Sequence, residues 1–175
     1  MNRKLKNEEL DRISIDDFKA AKKTPIVIVL DNIRSLNNIG SIFRTADAFL
    51  IEAVYLCGIT AQPPHREIQK TALGATESVQ WKYFGSTTEA VTELKIKNYQ
   101  IVVIEQAENS IMLDKFNPKN KLGVIFGNEV NGVEQDVVNL SDCVVEIPQY
   151  GTKHSLNVSV SLGVVIWELY RKFNF

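Results

Sequence analysis

The stretch "PIVIVLDNIRSLNNIGSIFRTADAFL", which covers residues 25–50, contains the two patterns that decide the fold class. Residues 25–31 form an apolar, β-branched run between a proline and an aspartate, which predicts a fully buried strand. Beyond it, apolar side chains recur at helical spacing, at Ile39, Ile42, Phe43, Ala46 and Phe49. This spacing predicts a helix, and its expected N-cap is Asn37 or Asn38, because caps favour a short side chain with a hydrogen-bond acceptor.

Similar apolar runs recur along the chain and alternate with helical segments. Five further strands are predicted within residues 53–58, 78–84, 99–106, 122–127 and 142–148. Residues 86–98 predict an amphipathic helix, residues 65–75 a loop or short helix, and the last helix runs from about Ser155 to Phe173. Near-continuous apolar strands that alternate with helices predict an α/β fold, with a mostly parallel sheet covered by helices on both faces.

The length of 175 residues fits one domain, and no linker, repeat or low-complexity tract divides the chain. We expect an α/β domain over residues 25–175, preceded by a basic N-terminal arm or helix over residues 1–24. Residues 1–25 contain seven basic and five acidic side chains. That cluster is interpreted either as a solvated amphipathic arm or as an arm that contacts RNA.

The composition narrows the class of protein. Apolar residues make up 45% and charged residues 23%, which are ordinary values for a globular protein, and the net charge of −1 shows no general basic excess. No apolar run approaches the ~20 residues of a membrane span, so no membrane partner is expected. Cys57 and Cys143 lie in apolar stretches and are interpreted as reduced core thiols of a cytoplasmic protein.

Three clusters of polar residues follow three predicted strands, at residues 31–44, 126–132 and 147–157. Because carboxyl ends of parallel strands meet at one edge of a sheet, these clusters are expected to converge on a single site. None has the glycine spacing of a dinucleotide or P-loop phosphate site, so a Rossmann-like dehydrogenase or nucleotide-binding module is disfavoured. His65 and His154 lack metal-ligand spacing, and no Gly-x-Ser-x-Gly elbow is present. No metal site or serine-hydrolase site is expected.

Taken together, the three clusters resemble the SpoU branch of the SPOUT RNA methyltransferases. They match its Asn-x-Gly-x-x-x-Arg-Thr pattern, its Gly-Asn-Glu-x-x-Gly pattern, and its Ile-Pro-x-x-Gly step followed by Ser-Leu-Asn-Val-Ser. The matching positions are Asn38, Gly40, Arg44 and Thr45 in motif 1; Gly127, Asn128, Glu129 and Gly132 in motif 2; and Ile147, Pro148, Gly151 and Ser155–Ser159 in motif 3. The ordered match spans residues 32–168, which is most of the chain.

The resemblance implies a deep trefoil knot at about residues 121–175, with S-adenosylmethionine (AdoMet) held bent inside it. Knots are otherwise essentially absent from proteins, so the residue pattern alone does not predict one. The positions implied as cofactor-binding are Gly127, Asn128, Ile147, Gly151 and Leu156. Pro148 and Gly151 would shape a loop whose backbone approaches the cofactor, since glycine permits positive φ and close approach.

The implied reaction transfers the sulfonium methyl group to a ribose 2′-hydroxyl, and the resemblance nominates Arg44 as the central catalytic residue. A guanidinium is almost always protonated, so we expect Arg44 to hold a phosphate and stabilise the developing alkoxide rather than act as a free base. The other catalytic candidates are Asn38, Glu129, Ser155 and Asn157. Structural alternatives stay open: Asn38 as a helix cap, Glu129 as a surface carboxylate, and Arg44 as a solvated helix arginine.

The features shared with tRNA guanosine 2′-O-methyltransferases favour tRNA as the substrate, and rRNA is the alternative. They include Glu105-Gln106, the Glu146–Gln149 step and Trp167-Glu168. RNA contacts are expected from Arg34, Arg44 and Lys153.

The family also implies a homodimer whose final helix packs across the interface through Trp167, Leu169 and Tyr170. Two further readings are a non-catalytic RNA-binding relative and a base-methylating SPOUT enzyme, the latter disfavoured by the Ser-Leu-Asn step.

Overall fold

The computed structural model describes residues 2–175, so Met1, the first residue of the predicted N-terminal arm, lies outside it. The strands are β1 (Thr24–Asp31), β2 (Ile51–Cys57), β3 (Trp81–Phe84), β4 (Gln100–Ile104), β5 (Ile111–Met112), β6 (Leu122–Phe126) and β7 (Cys143–Glu146). The helices are α1 (Ile15–Ala20), α2 (Leu36–Ala48), α3 (Arg66–Ala72), α4 (Ala75–Ser78), α5 (Thr87–Ile96), α6 (Gln135–Leu140) and α7 (Val158–Asn174).

The strands form one sheet in the order β3-β2-β1-β6-β4-β7-β5, and every recorded strand pair is parallel. In the centre, Val29 of β1 lies opposite Tyr55 of β2 and Ile125 of β6. The prediction of a mostly parallel sheet is therefore confirmed. The sequence pattern missed β5, because a two-residue strand with an exposed first residue is too short to show periodicity.

Helices cover both faces of the sheet, as predicted. Alternating side chains of β1 point to opposite sides: Ile28 belongs to the hydrophobic cluster on one face and Val29 to the cluster on the other. The first cluster includes buried side chains of α2, α3 and α7, and the second includes those of α5 and α6. The buried residues of α7, including Val158 and Leu169, all belong to the first cluster.

Two helix starts differ from the predictions. The N-cap of α2 is Ser35, whose side chain accepts a hydrogen bond from the Asn38 amide, so the predicted cap at Asn37 or Asn38 is wrong. The Ser35 hydroxyl accepts from the backbone N–H of Asn38, one of the unpaired N–H groups at the start of the helix. The Asn38 side chain is therefore available for other contacts. The last helix begins at Val158 rather than near Ser155, and Asn157 is its N-cap.

The N-terminal arm contains a one-turn 3-10 helix at Asn7–Glu9 and the short helix α1. Phe18 of α1 is buried in the main hydrophobic cluster, which attaches this end of the arm to the domain. None of the helices within residues 2–175 is long and apolar enough to cross a membrane. Cys57 and Cys143 are free, and burial raises the pKa of the Cys57 thiol to about 12, which keeps it protonated at neutral pH.

Candidate active site

A cavity of about 590 Å³ lies at the carboxyl ends of β4, β6 and β7. Residues that end these three strands, Ile104, Phe126 and Glu146, line it. Four of the five predicted cofactor-binding residues also line it, namely Gly127, Asn128, Ile147 and Leu156. The volume lies within the range of small-molecule sites, and the mixture of apolar walls with a few polar groups is typical of them.

Glycine is required at Gly127 and Gly132 because the chain approaches itself closely there. A Cβ at Gly127 would overlap the backbone of Gly132 and the amide nitrogen of Val133. Gly132 has φ +69°, and a Cβ there would overlap the Glu105 carboxylate. These two glycines explain the spacing of motif 2: they allow a compact turn to form the wall of the cavity next to β6.

The Asn128 side chain organises this turn. Its Oδ1 accepts hydrogen bonds from the amides of Val130 and Asn131, at 2.9 Å and 3.2 Å. Its Nδ2 donates to the carbonyl oxygen of Asn32 at 2.6 Å, which ties the turn to the end of β1. Asn128 also forms a backbone bridge with Gly132. Asn128 therefore lines the cavity, but its side-chain hydrogen bonds go to the protein backbone.

Asn38, Glu129 and Asn157, one residue from each motif, form a hydrogen-bonded cluster beside the cavity. Asn38 Nδ2 donates to Glu129 Oε1 at 3.5 Å, and Asn157 Nδ2 donates to Asn38 Oδ1 at 3.2 Å. Ser159 adds a 3.5 Å contact from its hydroxyl to Asn38 Oδ1. The convergence of the three motifs, predicted from their positions after parallel strands, is observed.

The Glu129 carboxylate connects motif 2 to the start of α2. Its two oxygens accept hydrogen bonds from the backbone amides of Arg34 and Ser35, each at 3.1 Å. Partial burial alone would raise the pKa of this carboxyl, but the backbone hydrogen bonds and the contact with Asn38 outweigh it, so the pKa is lowered. Glu129 therefore stays ionised and anchors the start of α2. It lies at the surface, as the structural alternative has it, but its carboxylate is hydrogen-bonded rather than simply solvated.

Gly40 of motif 1 has a packing role. A Cβ at this position would overlap the Thr71 hydroxyl and the carbonyl oxygen of Ile68, both in α3. Gly40 thus allows α2 to pack closely against α3. Its place in the motif follows from helix packing rather than from contact with a ligand.

The predicted RNA-contacting residues lie outside the cavity. Arg44 is exposed on α2, does not line the cavity, and has no hydrogen bond or ion pair within residues 2–175. Arg34 and Lys153 are exposed as well. The exposed Ser155 lines the cavity. In a single chain, Arg44 is therefore free to bind a group that arrives from solution or from a second copy.

Gly151 does not behave as predicted. It is not among the glycines with positive φ, it does not line the cavity, and no atom lies within 4 Å of the position that a Cβ would take. Gln149, His154, Ser155 and Leu156 of the same loop line the cavity, but Gly151 itself lies away from it, so the prediction that Gly151 brings backbone close to the cofactor site finds no support in this geometry.

Glu105 and Glu146 were not among the predicted site residues, although both line the cavity. Glu105 Oε2 accepts a hydrogen bond from the Val133 amide at 3.2 Å, and Glu146 Oε2 accepts one from the Ser110 hydroxyl at 2.6 Å. Their position at or just beyond a strand end was the available signal. This signal is weak, because a glutamate next to a strand is more often a solvated residue.

Residues 25–167 match the model of the SpoU rRNA Methylase family. The chain belongs to this family. The family prediction from the three motifs is confirmed, and it includes the expectation of an RNA-methylating enzyme.

Two relatives and one solved structure illustrate the similarity. An uncharacterized tRNA/rRNA methyltransferase of Borreliella burgdorferi is 30% identical over 173 residues, which cover 99% of this chain and 75% of the relative. A tRNA (guanosine(18)-2′-O)-methyltransferase of Aquifex aeolicus is 27% identical over 155 residues, which cover 86% of this chain and 71% of the relative. The structure of an AdoMet-bound rRNA methyltransferase from Sinorhizobium meliloti is 25% identical with a TM-score of 0.80, and the match covers 88% of this chain and 59% of that chain.

Proposed function

We propose that this SpoU family chain is an AdoMet-dependent RNA ribose 2′-O-methyltransferase, with tRNA as the first candidate substrate and rRNA as the alternative. One observation carries the proposal: motifs 2 and 3 line a single cavity, and Asn38 of motif 1 is hydrogen-bonded to Glu129 and Asn157 at its edge. The cavity supplies a place for a methyl donor, and the cluster supplies polar groups for the acceptor.

The cavity fits AdoMet in shape and in charge. Leu156 and Ile147 offer apolar surface for an adenine ring, and the turn at Gly127 leaves no side chain in the way. Within the described residues, the lining contains three glutamates and no lysine or arginine. A cationic sulfonium is favoured in such surroundings. When bound, AdoMet supplies an activated methyl group, and no metal is needed for that chemistry.

Residues of the chain must orient the acceptor ribose and assist the loss of its proton. The 2′-hydroxyl must be held in line with the methyl group and must lose its proton as the new C–O bond forms. Asn38 and Asn157 hold each other through a 3.2 Å hydrogen bond, which fixes both amides beside the cavity, where the acceptor ribose would lie. Glu129 keeps Asn38 in place, and Ser155 at the cavity lining is available to orient the ribose.

Arg44 acts on the RNA rather than on the cofactor in this proposal. Its exposed guanidinium has no protein partner within residues 2–175, so a phosphate of the substrate can pair with it. A guanidinium beside the reacting ribose would stabilise the developing alkoxide, and a phosphate oxygen would accept the proton. Arg34 and Lys153 extend the cationic surface for the RNA backbone.

The name of the Aquifex aeolicus relative supports guanosine in tRNA as the acceptor, and the name of the Borreliella burgdorferi relative supports tRNA or rRNA as the substrate. Three further features belong to the same proposal: the trefoil knot at about residues 121–175, a cytoplasmic location, and a homodimer. For the dimer, the support is an apolar stripe on α7, formed by Val160, Val164 and Trp167, which are 53%, 41% and 51% exposed. Of the predicted interface residues, Leu169 is buried in the core of its own chain, and that part of the prediction is wrong.

Incubation with labelled AdoMet and unmodified tRNA and rRNA, followed by nucleoside analysis, tests this function. A 2′-O-methylated nucleoside is the expected product. Arg44→Ala is expected to lower turnover by at least about 100-fold, because it removes a preorganised cation at the developing charge. Its AdoMet affinity, measured by calorimetry, should stay within about 2-fold because Arg44 does not line the cavity.

Lys95→Ala is the matched control, since Lys95 is an exposed cation on α5, which packs on the other face of the sheet from α2. Loss of AdoMet binding by Arg44→Ala would make that arginine structural. AdoMet binding without any methylated nucleoside would identify the chain as a non-catalytic RNA-binding relative.

A further inference from the structure

A second cavity, of about 360 Å³, lies at the carboxyl ends of β1 and β6. From β1 the chain continues into α2 on one face of the sheet, and from β6 it continues into α6 on the opposite face. Such a divergence opens a crevice at the strand ends, which is the usual ligand position in open parallel sheets. Asn128, Val130, Asn131 and Gly132 line both this crevice and the cofactor cavity, so a single turn separates the two.

The floor of the crevice is built around Asn32. This residue has φ +56°, and its Oδ1 accepts a hydrogen bond from the Ile59 amide at 3.1 Å. Gly58 makes room for it, because a Cβ at that glycine would overlap the Asn32 side chain. Asn32 Nδ2 donates to Asp31 at 3.0 Å and to Glu134 Oε1 at 2.9 Å. The floor is therefore rigid, and it fixes the direction of the Glu134 carboxylate.

Glu134 is held at both its backbone and its side chain. Its amide donates to the buried Asp31 carboxylate at 3.0 Å, and its Oε1 accepts from Asn32. Within residues 2–175, Glu134 Oε2 has no hydrogen-bond partner, and Glu134 is the only acidic residue that lines the crevice. A carboxylate that the protein has oriented, with free acceptor sites, is suited to bind neighbouring N–H donors of a ligand.

The walls of the crevice combine apolar surface with one cation. Ile59 and Val130 line it, although 65% and 74% of their surface is exposed. Arg34 is the single basic residue of the lining within the described part of the chain, and it has no recorded side-chain partner there. Flat apolar faces, a polar edge and an attached phosphate are the features of a nucleotide, and unpaired bases are recognised by such contacts.

We propose that this crevice binds the base of the target nucleotide and that Glu134 selects guanine. The inference rests on the proposed function and adds the residue that reads the base. Guanine presents N1–H and the N2 amino group side by side, so one carboxylate accepts from both. Adenine presents an acceptor, N1, at the corresponding position and is repelled. With the base against Ile59 and Val130, the Asn128–Gly132 turn lies between it and the methyl donor, and Arg34 faces the nucleotide's phosphate.

The experiment uses the full chain with AdoMet and unmodified tRNA and rRNA transcripts, and it compares Glu134→Gln with Asp136→Asn. Asp136 is an exposed carboxylate two residues further along the chain, in the first turn of α6, and lines neither cavity, so it controls for the loss of a negative charge. The unchanged protein is expected to form 2′-O-methylguanosine. Glu134→Gln should lower kcat/KM for that product by about 10- to 100-fold, since it weakens two hydrogen bonds to a charged acceptor. Asp136→Asn should leave it unchanged.

A transcript with inosine in place of the target guanosine gives a second measurement. Inosine keeps N1–H but lacks the N2 amino group, so the unchanged protein should methylate it less efficiently, and Glu134→Gln should discriminate less between the two. Full activity of Glu134→Gln on guanosine, or a methylated nucleoside other than guanosine, overturns the inference alone. Absence of any methylated nucleoside instead overturns the proposed function. Unchanged AdoMet affinity of Glu134→Gln separates base reading from damage to the neighbouring cavity.

Discussion

The two loops that enclose the cofactor cavity are built in opposite ways. The motif 2 loop, Gly127–Gly132, is tied to the domain by side-chain hydrogen bonds of Asn128 and Glu129 and by a backbone bridge. The motif 3 loop, residues 148–156, is largely exposed, and Tyr150 at its tip is 96% exposed. Within residues 2–175, one hydrogen bond reaches it, from Gln106 Nε2 to the carbonyl oxygen of His154 at 2.6 Å.

The difference shows which half of the site a single chain can preorganise. The motif 2 loop needs nothing else to keep its shape, because its polar groups are satisfied inside the domain. The motif 3 loop has little packing of its own, so its exposed groups are accessible to a ligand or to a second copy.

Among tests of the difference between the two loops, the largest effect is expected from Gly127→Ala, with Gly151→Ala as its counterpart in the other loop. Gly127→Ala places a methyl group against the backbone of Gly132, so the loop must move and the cavity wall with it. AdoMet affinity is expected to fall by about 10- to 100-fold, the size of a typical overpacking penalty. Gly151→Ala meets no atom within 4 Å and should change the affinity by less than about 2-fold. Calorimetric titration with AdoMet measures both variants.

Equal loss of AdoMet affinity in the two glycine variants would contradict the difference between the loops. It would show that the motif 3 loop is as tightly fitted around the cofactor as the motif 2 loop. Circular dichroism melts accompany the titrations, so that a Gly127→Ala protein that has unfolded is not mistaken for one that has lost only its cofactor site.

A smaller effect is expected at the apolar stripe of α7, which follows the motif 3 loop directly. Val164→Glu places a charge in the proposed dimer interface and adds an acidic neighbour four residues before Glu168. The dimer dissociation constant, measured by sedimentation equilibrium, should rise by at least about 10-fold. Ile96→Glu is the control, because Ile96 is an exposed apolar residue on α5, which covers the other sheet face. A monomeric unchanged protein would contradict the dimer outright.

The smallest effect concerns Glu129, the anchor of the motif 2 loop. Its folded-state pKa is lowered, so its stabilising contribution is fully present above the ordinary glutamate pKa and is lost as the pH falls through the folded-state value. At pH 7, Glu129→Gln should melt about 2–4 °C below the unchanged protein, as expected for weaker hydrogen bonds to two backbone amides. Below about pH 4 the difference should narrow. A difference independent of pH would mean that the charge of Glu129 contributes nothing.

Much of the architecture could be predicted because the signals are local. The buried run of β1 and the helical spacing of α2 appear within 25 consecutive residues, and both elements are observed. The sequence does not identify the cap of α2, because three candidate capping side chains, Ser35, Asn37 and Asn38, lie close together. Which of them caps the helix depends on where the others are needed, and Asn38 is engaged with motif 3.

The sequence by itself determined the strand and helix order, the sheet buried on both faces, and the family, because periodicity and motif spacing are properties of the chain. Only the tertiary structure decided which role each motif residue has. The hydrogen bonds of Asn38 to Glu129 and to Asn157 join residues 91 and 119 positions apart. The chain folds so that such partners meet, and side-chain direction there decides that Glu129 anchors, Gly151 stays open and Arg44 faces solvent. The spacing of residues in the sequence does not determine the side-chain directions, because these depend on contacts between distant parts of the chain.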